Sequence, residues 1–101
     1  MILEETVRYG DFEWDSNKNE ENKRKHHISF ETAIQIFNYD DTVIIPDKSH
    51  SNGEERSVAV GMIKDIISVV YTERHGNVIR VISAQKAKAE FRREYYELNN
   101  L

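Results

Sequence analysis

The sequence contains no cysteine, which excludes disulfide bridges, cysteine-ligated zinc and a thiol nucleophile. One proline and four glycines in 101 residues leave little material for long flexible linkers. No apolar run approaches the roughly 18 residues of a membrane-spanning helix, and no secretory signal opens the chain. A cytoplasmic protein that engages no membrane is therefore expected. Internal repeats are also missing. What remains is a hydrophobic share of 39%, enough for one core spanning residues 1–101, and a charged share of 32% that makes the exterior strongly polar.

The charge is unevenly distributed. From Arg74 onward six cationic side chains (Arg74, Arg80, Lys86, Lys88, Arg92, Arg93) meet three acidic ones (Glu90, Glu94, Glu97), giving +3. The chain carries −4 overall, so residues 1–73 hold −7. Such asymmetry hints at an anionic partner, while the overall negative charge argues against tight non-specific binding of nucleic acid.

The hydrophobic period sets the expected elements. "YGDFEWD" (9–15) reads as a short strand with Phe12 and Trp14 on one face and Glu13 on the other. The polar stretch 15–27 reads as a solvated helix capped by Asp15 or Ser16, with Glu20 and Glu21 four residues ahead of Arg24 and Lys25. In 28–37, Phe30, Ala33, Ile34 and Phe37 recur at helical spacing behind a Ser29 cap. The period then becomes two: 42–47 with Pro46 at an edge, a polar loop over 48–55, and strands over 56–63, 66–74 and 78–83. Short connections, "KD" and the turn signal Gly76-Asn77, force antiparallel neighbours. A last helix over 83–100, capped by Ser83, presents Ala84, Ala87, Phe91, Tyr95 and Leu98. The fold class is α+β, an antiparallel meander packed with N-terminal helices and a C-terminal helix.

Arg80 interrupts the apolar run "VIRVIS", where a charge is costly unless paired. A two-residue turn at Gly76-Asn77 sets it opposite Glu73, so Arg80 either forms a cross-strand ion pair or grips a phosphate with Glu73 orienting it. In that register Arg74 lies on the opposite face and reads as solvated; a three-residue turn changes both pairings. Lys86 and Lys88 fall in the first turns of the expected last helix, either as solvated lysines or as partners of an anion docked there. Arg92, Arg93, Tyr95 and Tyr96 place guanidinium groups beside phenols; packing suits Tyr95, and Tyr96 is left open. Adjacent His26 and His27 point about 100° apart and make poor joint metal ligands. His50 and His75 read as solvated, and no metal site is expected. The Glu54-Glu55-Arg56 cluster is either a surface ion pair or the source of a general base.

Taken together, several stretches resemble the BrnT-type ribonuclease toxins of bacterial toxin–antitoxin pairs. They are "FEWD" (12–15), Asn22 followed by "KH" (25–26), "ISFETAIQIF", "GEER" (53–56) with Gly61, "VVYTER" (69–74), and "IRVISAQKA" (79–87) with Glu90 and Tyr95. The resemblance implies a RelE-like fold and metal-independent, cofactor-free endonucleolytic cleavage of RNA that blocks translation. It also implies a BrnA-type ribbon-helix-helix antitoxin, through which alone the pair would reach operator DNA. Carried onto this sequence, Arg74, Arg80 and Lys86 become phosphate grips, Glu54 or His26 the proton-transfer group, and Tyr95 or Tyr96 a base contact. Lys25, Arg56 and Arg92 join them as RNA-binding residues.

Two positions depart from the pattern. Gln85 stands where "ISARKA" has a cation, and His27 stands where "KHG" has a glycine. The first supports a second reading, an attenuated or non-catalytic member that acts through its antitoxin and repressor complex. A plain RNA-binding domain is a third, disfavoured by a pI near 5.5 and the lack of exposed aromatic runs.

Overall fold

The computed structural model describes residues 5–47 and 55–101. Along the chain run β1 (Thr6–Tyr9), β2 (Phe12–Asp15), α1 (Ser16–His26), α2 (Phe30–Ala33) with a 3₁₀ turn over Ile34–Asn38, β3 (Val43–Asp47), β4 (Arg56–Ile63), β5 (Asp65–Arg74), β6 (Val78–Lys86) and α3 (Ala89–Leu98). The strands form one sheet in the order β1-β2-β6-β5-β4-β3. The expected meander over β3 to β6 is present, and the fold is α+β. The β1–β2 pair was not foreseen: the single strand expected over 9–15 is a hairpin turning at Gly10-Asp11. Its second strand runs parallel to β6, with Phe12 beside Ile79 and Glu13 beside Arg80.

Two layers cover the sheet. On one face α1, α2 and the 3₁₀ turn pack over Trp14, Val69, Tyr71, Val81 and Ala84. On the other, α3 covers Val58, Val60 and Ile66 with Tyr95 and Phe91. The expected helix over 28–37 tightens after Ala33. The α-turn over Phe30–Ala33 and the tighter 3₁₀ turn after it together bury Phe30, Ala33, Ile34 and Ile36, while Phe37 stays partly buried at the margin of the core. Beneath this turn Gly61 leaves no room for a side chain. A Cβ there would lie 2.6 Å from Thr42 Oγ1 and 2.8 Å from Ile36 Cβ.

The end of β6 corrects the expected last helix. β5 extends to Asp65, so its backbone groups pair with β6 as far as Lys86, and Ala87 N–H continues to Ile66 O at 2.9 Å. The ladder satisfies peptide groups that an early helix would strand. Ser83 is therefore a strand residue rather than a cap, and α3 begins behind Lys88 with no side-chain cap. Lys86 accordingly sits at a strand end and not on a helix. Ala84 belongs to the sheet core, and Leu98 is exposed.

Candidate functional site

The β2 strand ends where α1 begins, so β6 beyond Arg80 loses its strand neighbour and gains a helix. Asn22 makes that junction. Its Nδ2 donates to Ala84 O at 2.8 Å and to Ile28 O at 2.9 Å, and Ala84 N–H donates back to its Oδ1 at 3.1 Å. One side-chain amide thus takes the place of a strand's peptide group along the β6 edge. Asn19, a turn earlier, accepts from Phe30 N–H at 2.8 Å and donates to Glu31 Oε1 at 2.8 Å, fixing the start of α2. The sequence reading took α1 as solvated. Its Asn19–Asn22 edge is buried, because amides satisfied on both sides can be buried at little cost.

Between α1 and β6 lies a groove. One end, about 110 Å³, is lined by Asp15, Lys18, Arg80, Val81 and Ile82. The other, about 210 Å³, is lined by Lys18, Glu21, Asn22, Lys25, His26, Ile82 and Ser83. Lys18 and Ile82 border both. Asp15 caps α1 by accepting from Asn17 N–H at 3.1 Å, and the helix then places Lys18, Glu21, Asn22, Lys25 and His26 along one stripe. Ile82 is a β-bulge: Tyr71 opposes Val81 and Val70 opposes Ser83, which leaves Ile82 without an opposite residue. Bulges re-aim strand side chains, and this one lies in the groove wall. Lys25 is braced by Glu21 Oε1 at 2.7 Å, an exposed pair of small energetic weight.

Arg80 enters the groove from the sheet. Its partner is Glu13 on β2, Nη1 to Oε2 at 2.6 Å, and the two side chains are 15% and 20% exposed. The expected partner, Glu73, lies elsewhere. Residues 75–77 form a three-residue turn with Gly76 and Asn77 at positive φ, which pairs Thr72 with Arg80 and Glu73 with Ile79. The same shift moves Arg74 onto the face of Arg80, where the expected register had set it opposite. The register builds a row across the sheet: Asp47 beside Arg56, then Thr72, Arg80, Glu13 and Arg8. Continued by one residue, the β4–β5 register sets Arg56 beside Thr72. Arg56 Nε is buried and has no hydrogen-bond partner among the described residues.

The remaining candidates are dispersed. Lys86 pairs with Ile67, whose side chain belongs to the core beneath α1 and α2, so it faces away from Arg80; these two cannot clasp one phosphate. Instead Lys86 Nζ lies 3.6 Å from Asp65 Oδ2, and Arg92 Nη1 lies 3.4 Å from Asp65 Oδ1. The Ile66 N–H, then the Arg92 hydrogen bond and the charges of Lys86 and Arg92, hold the Asp65 carboxyl below its usual range. Tyr95 is 1% exposed and donates its hydroxyl to Asp41 Oδ2. That bond, with burial, pushes its pKa up to about 12. As placed, Tyr95 is a core residue and offers no face to a base. Tyr96 meets it edge-on and is 38% exposed, on α3 and apart from the groove. Glu54 and His50 lie outside the described residues.

The groove thus gathers Lys25, His26 and Arg80 and adds Lys18 and Asp15, with Glu13 behind it as the partner of Arg80; none of these three was expected at the site. The signals existed. Glu13 alternates with the core residues Phe12 and Trp14, and Lys18 stands seven and eight residues before Lys25 and His26 on α1. What could not be read was that β2 adjoins β6. Among the described residues, no helix is long and apolar enough to cross a membrane.

No curated protein matches the chain. Residues 14–90 match the family model described as the ribonuclease toxin, BrnT, of type II toxin–antitoxin systems, a stretch that runs from Trp14 through α1 and β6 into the first turn of α3. The chain belongs to the BrnT family of ribonuclease toxins.

Proposed function

We propose that this chain cleaves RNA without a metal, using the 2′-hydroxyl beside the scissile phosphate as nucleophile, with Arg80 at the centre of the site. The observation that carries this reading is the position of Arg80. Glu13 holds its guanidinium at the mouth of a groove also lined by Lys18, Lys25 and His26. Cleavage requires removal of the 2′-hydroxyl proton, stabilisation of charge on the phosphorane oxygens, and protonation of the departing 5′-oxygen. Guanidinium and ammonium donors serve the second task, and a guanidinium already bound to a carboxylate is held in a fixed plane. His26, half-buried at the far end of the groove, is the proton-transfer group among the described residues. Arg56 and Arg74, on the same sheet face as Arg80, extend the cationic surface along which the RNA strand lies.

The partner in this reading is a BrnA-type ribbon-helix-helix antitoxin, and the pair represses its own operon in the cytoplasm. Free toxin blocks translation. A second reading, an attenuated toxin acting mainly through the repressor complex, is favoured by Gln85. This residue pairs with Ser68 on the same β6 face as Arg80, where a cation would enlarge the phosphate-binding surface.

Induced expression with total RNA analysed on a gel separates the two. Wild type arrests growth and degrades RNA, while Arg80→Ala, checked for folding by circular dichroism, loses at least about 10²-fold in cleavage. His26→Ala loses cleavage with RNA binding retained. A harmless wild type whose toxicity is restored by Gln85→Arg establishes the second reading instead.

A further inference from the structure

We infer that a second pocket, between the end of α1 and the β4–β5 turn, is a socket for an acidic-apolar segment of the antitoxin, separate from the RNA groove. The inference rests on family membership for the existence of an antitoxin and on the following geometry for its docking place. The pocket has a volume of about 310 Å³ and is lined by His27, Ile28, Thr32, Ile63, Lys64, Asp65, Ile67 and Lys86. Three isoleucines supply an apolar floor of a size that takes one large aliphatic or aromatic side chain. Around the rim stand His27, Lys64 and Lys86, all exposed. The carboxylate among them, Asp65, is already engaged by Ile66 N–H at 2.9 Å and by Lys86 and Arg92. Lys64 and Lys86 against the one carboxylate leave the rim at +1 on a chain that is −4 overall, with Lys64 the lysine not paired to Asp65. Charge complementarity and an apolar floor together select a segment in which an apolar residue is flanked by carboxylates.

Protein fits this socket better than RNA. No Phe, Tyr or Trp lines it to stack a base, and Lys86 lies on the sheet face opposite Arg80. An antitoxin segment seated here leaves the α1–β6 groove geometrically distinct, so the two sites are separable by mutation. Two exposed positions outside the proposed cleavage machinery serve for this. Thr32→Trp fills the pocket, and Lys64→Glu reverses its rim charge without changing the left-handed backbone (φ 60°) that Lys64 already adopts.

The test measures affinity of the full-length toxin for its purified cognate antitoxin by titration calorimetry, beside RNA cleavage by the toxin alone. Each variant is expected to bind the antitoxin at least 10-fold more weakly while cleaving RNA at the wild-type rate. Unchanged antitoxin affinity in both variants overturns the inference. A loss of RNA cleavage with antitoxin affinity intact also overturns it, by assigning the pocket to RNA. If wild type cleaves no RNA, the proposed catalytic function fails, but the antitoxin titration still decides the socket.

Discussion

Asn22 provides a sharp test of how this fold is held. Its side chain makes three hydrogen bonds, two to Ala84 and one to Ile28, and the residue is 6% exposed. In Asn22→Ala the Ala84 N–H and C=O lose their partner at a residue with no solvent exposure, and the Ile28 carbonyl loses one as well. A buried polar group left unmet costs about 1–3 kcal/mol. Water can reach the half-buried Ile28, so the expected total is about 3–5 kcal/mol, a large part of the roughly 5–15 kcal/mol of a domain this size. Urea unfolding followed by circular dichroism should show a lower midpoint at unchanged slope. The melting temperature should fall by at least about 12 °C, at about 4–8 °C per kcal/mol. Asn22→Asp preserves the shape but removes both donors, facing a carboxylate with two carbonyls, and should cost at least as much. A loss below about 1 kcal/mol for either variant would refute the reasoning, because the amide would then be exchangeable for water.

Four further outcomes are expected. His27 closes α1 in the left-handed conformation at φ 60°, which costs an L-residue about 1–2 kcal/mol; set against glycine's extra unfolded-state entropy, His27→Gly should stabilise by up to about 1 kcal/mol in the same urea assay. Gly61→Ala should destabilise by about 1–3 kcal/mol, since its methyl would collide with Ile36 Cβ and Thr42, while a neutral result would show that the 3₁₀ turn moves freely. Tyr95→Phe should cost about 1–2 kcal/mol near neutral pH through loss of the Asp41 bond, as read by thermal melts. Tyr95 titrates near 10 unfolded and about 12 folded, so only the unfolded state releases its proton between those values. Wild-type stability should consequently fall across pH 10–12 more steeply than that of Tyr95→Phe, and parallel curves would contradict the assignment.

Much of the architecture was legible because it is written in local periods. Alternating Val and Ile positions gave β3 to β6, Ser29 announced α2, and the short connections forced the meander. Where the reading failed, a non-local pairing had prevailed over a local signal. Ser83-Ala84-Gln85-Lys86 reads as the start of a helix, yet β5 presents a partner for each of these residues and the ladder absorbs them. Arg80 was recognised as needing a partner, but its acid came from Glu13, 67 residues away. The two-residue turn expected at Gly76-Asn77 became a three-residue turn, and that single step moved Arg74 to the face of Arg80.

By itself, the sequence determined the fold class and the family and named Lys25, His26 and Arg80 among the residues that line the groove, because side-chain chemistry and spacing along one helix or strand are properties of the chain. It also marked His27 as an occupant of a glycine site, which the backbone angle bears out. Only the tertiary structure decided which of those residues meet. The parallel placement of β2 beside β6 created the Glu13–Arg80 pair, and Asn22 then substituted a helix for the missing strand and opened the groove. Both depend on contacts between segments more than 60 residues apart, whose closure is set by the packing of the whole sheet and leaves no trace in local sequence.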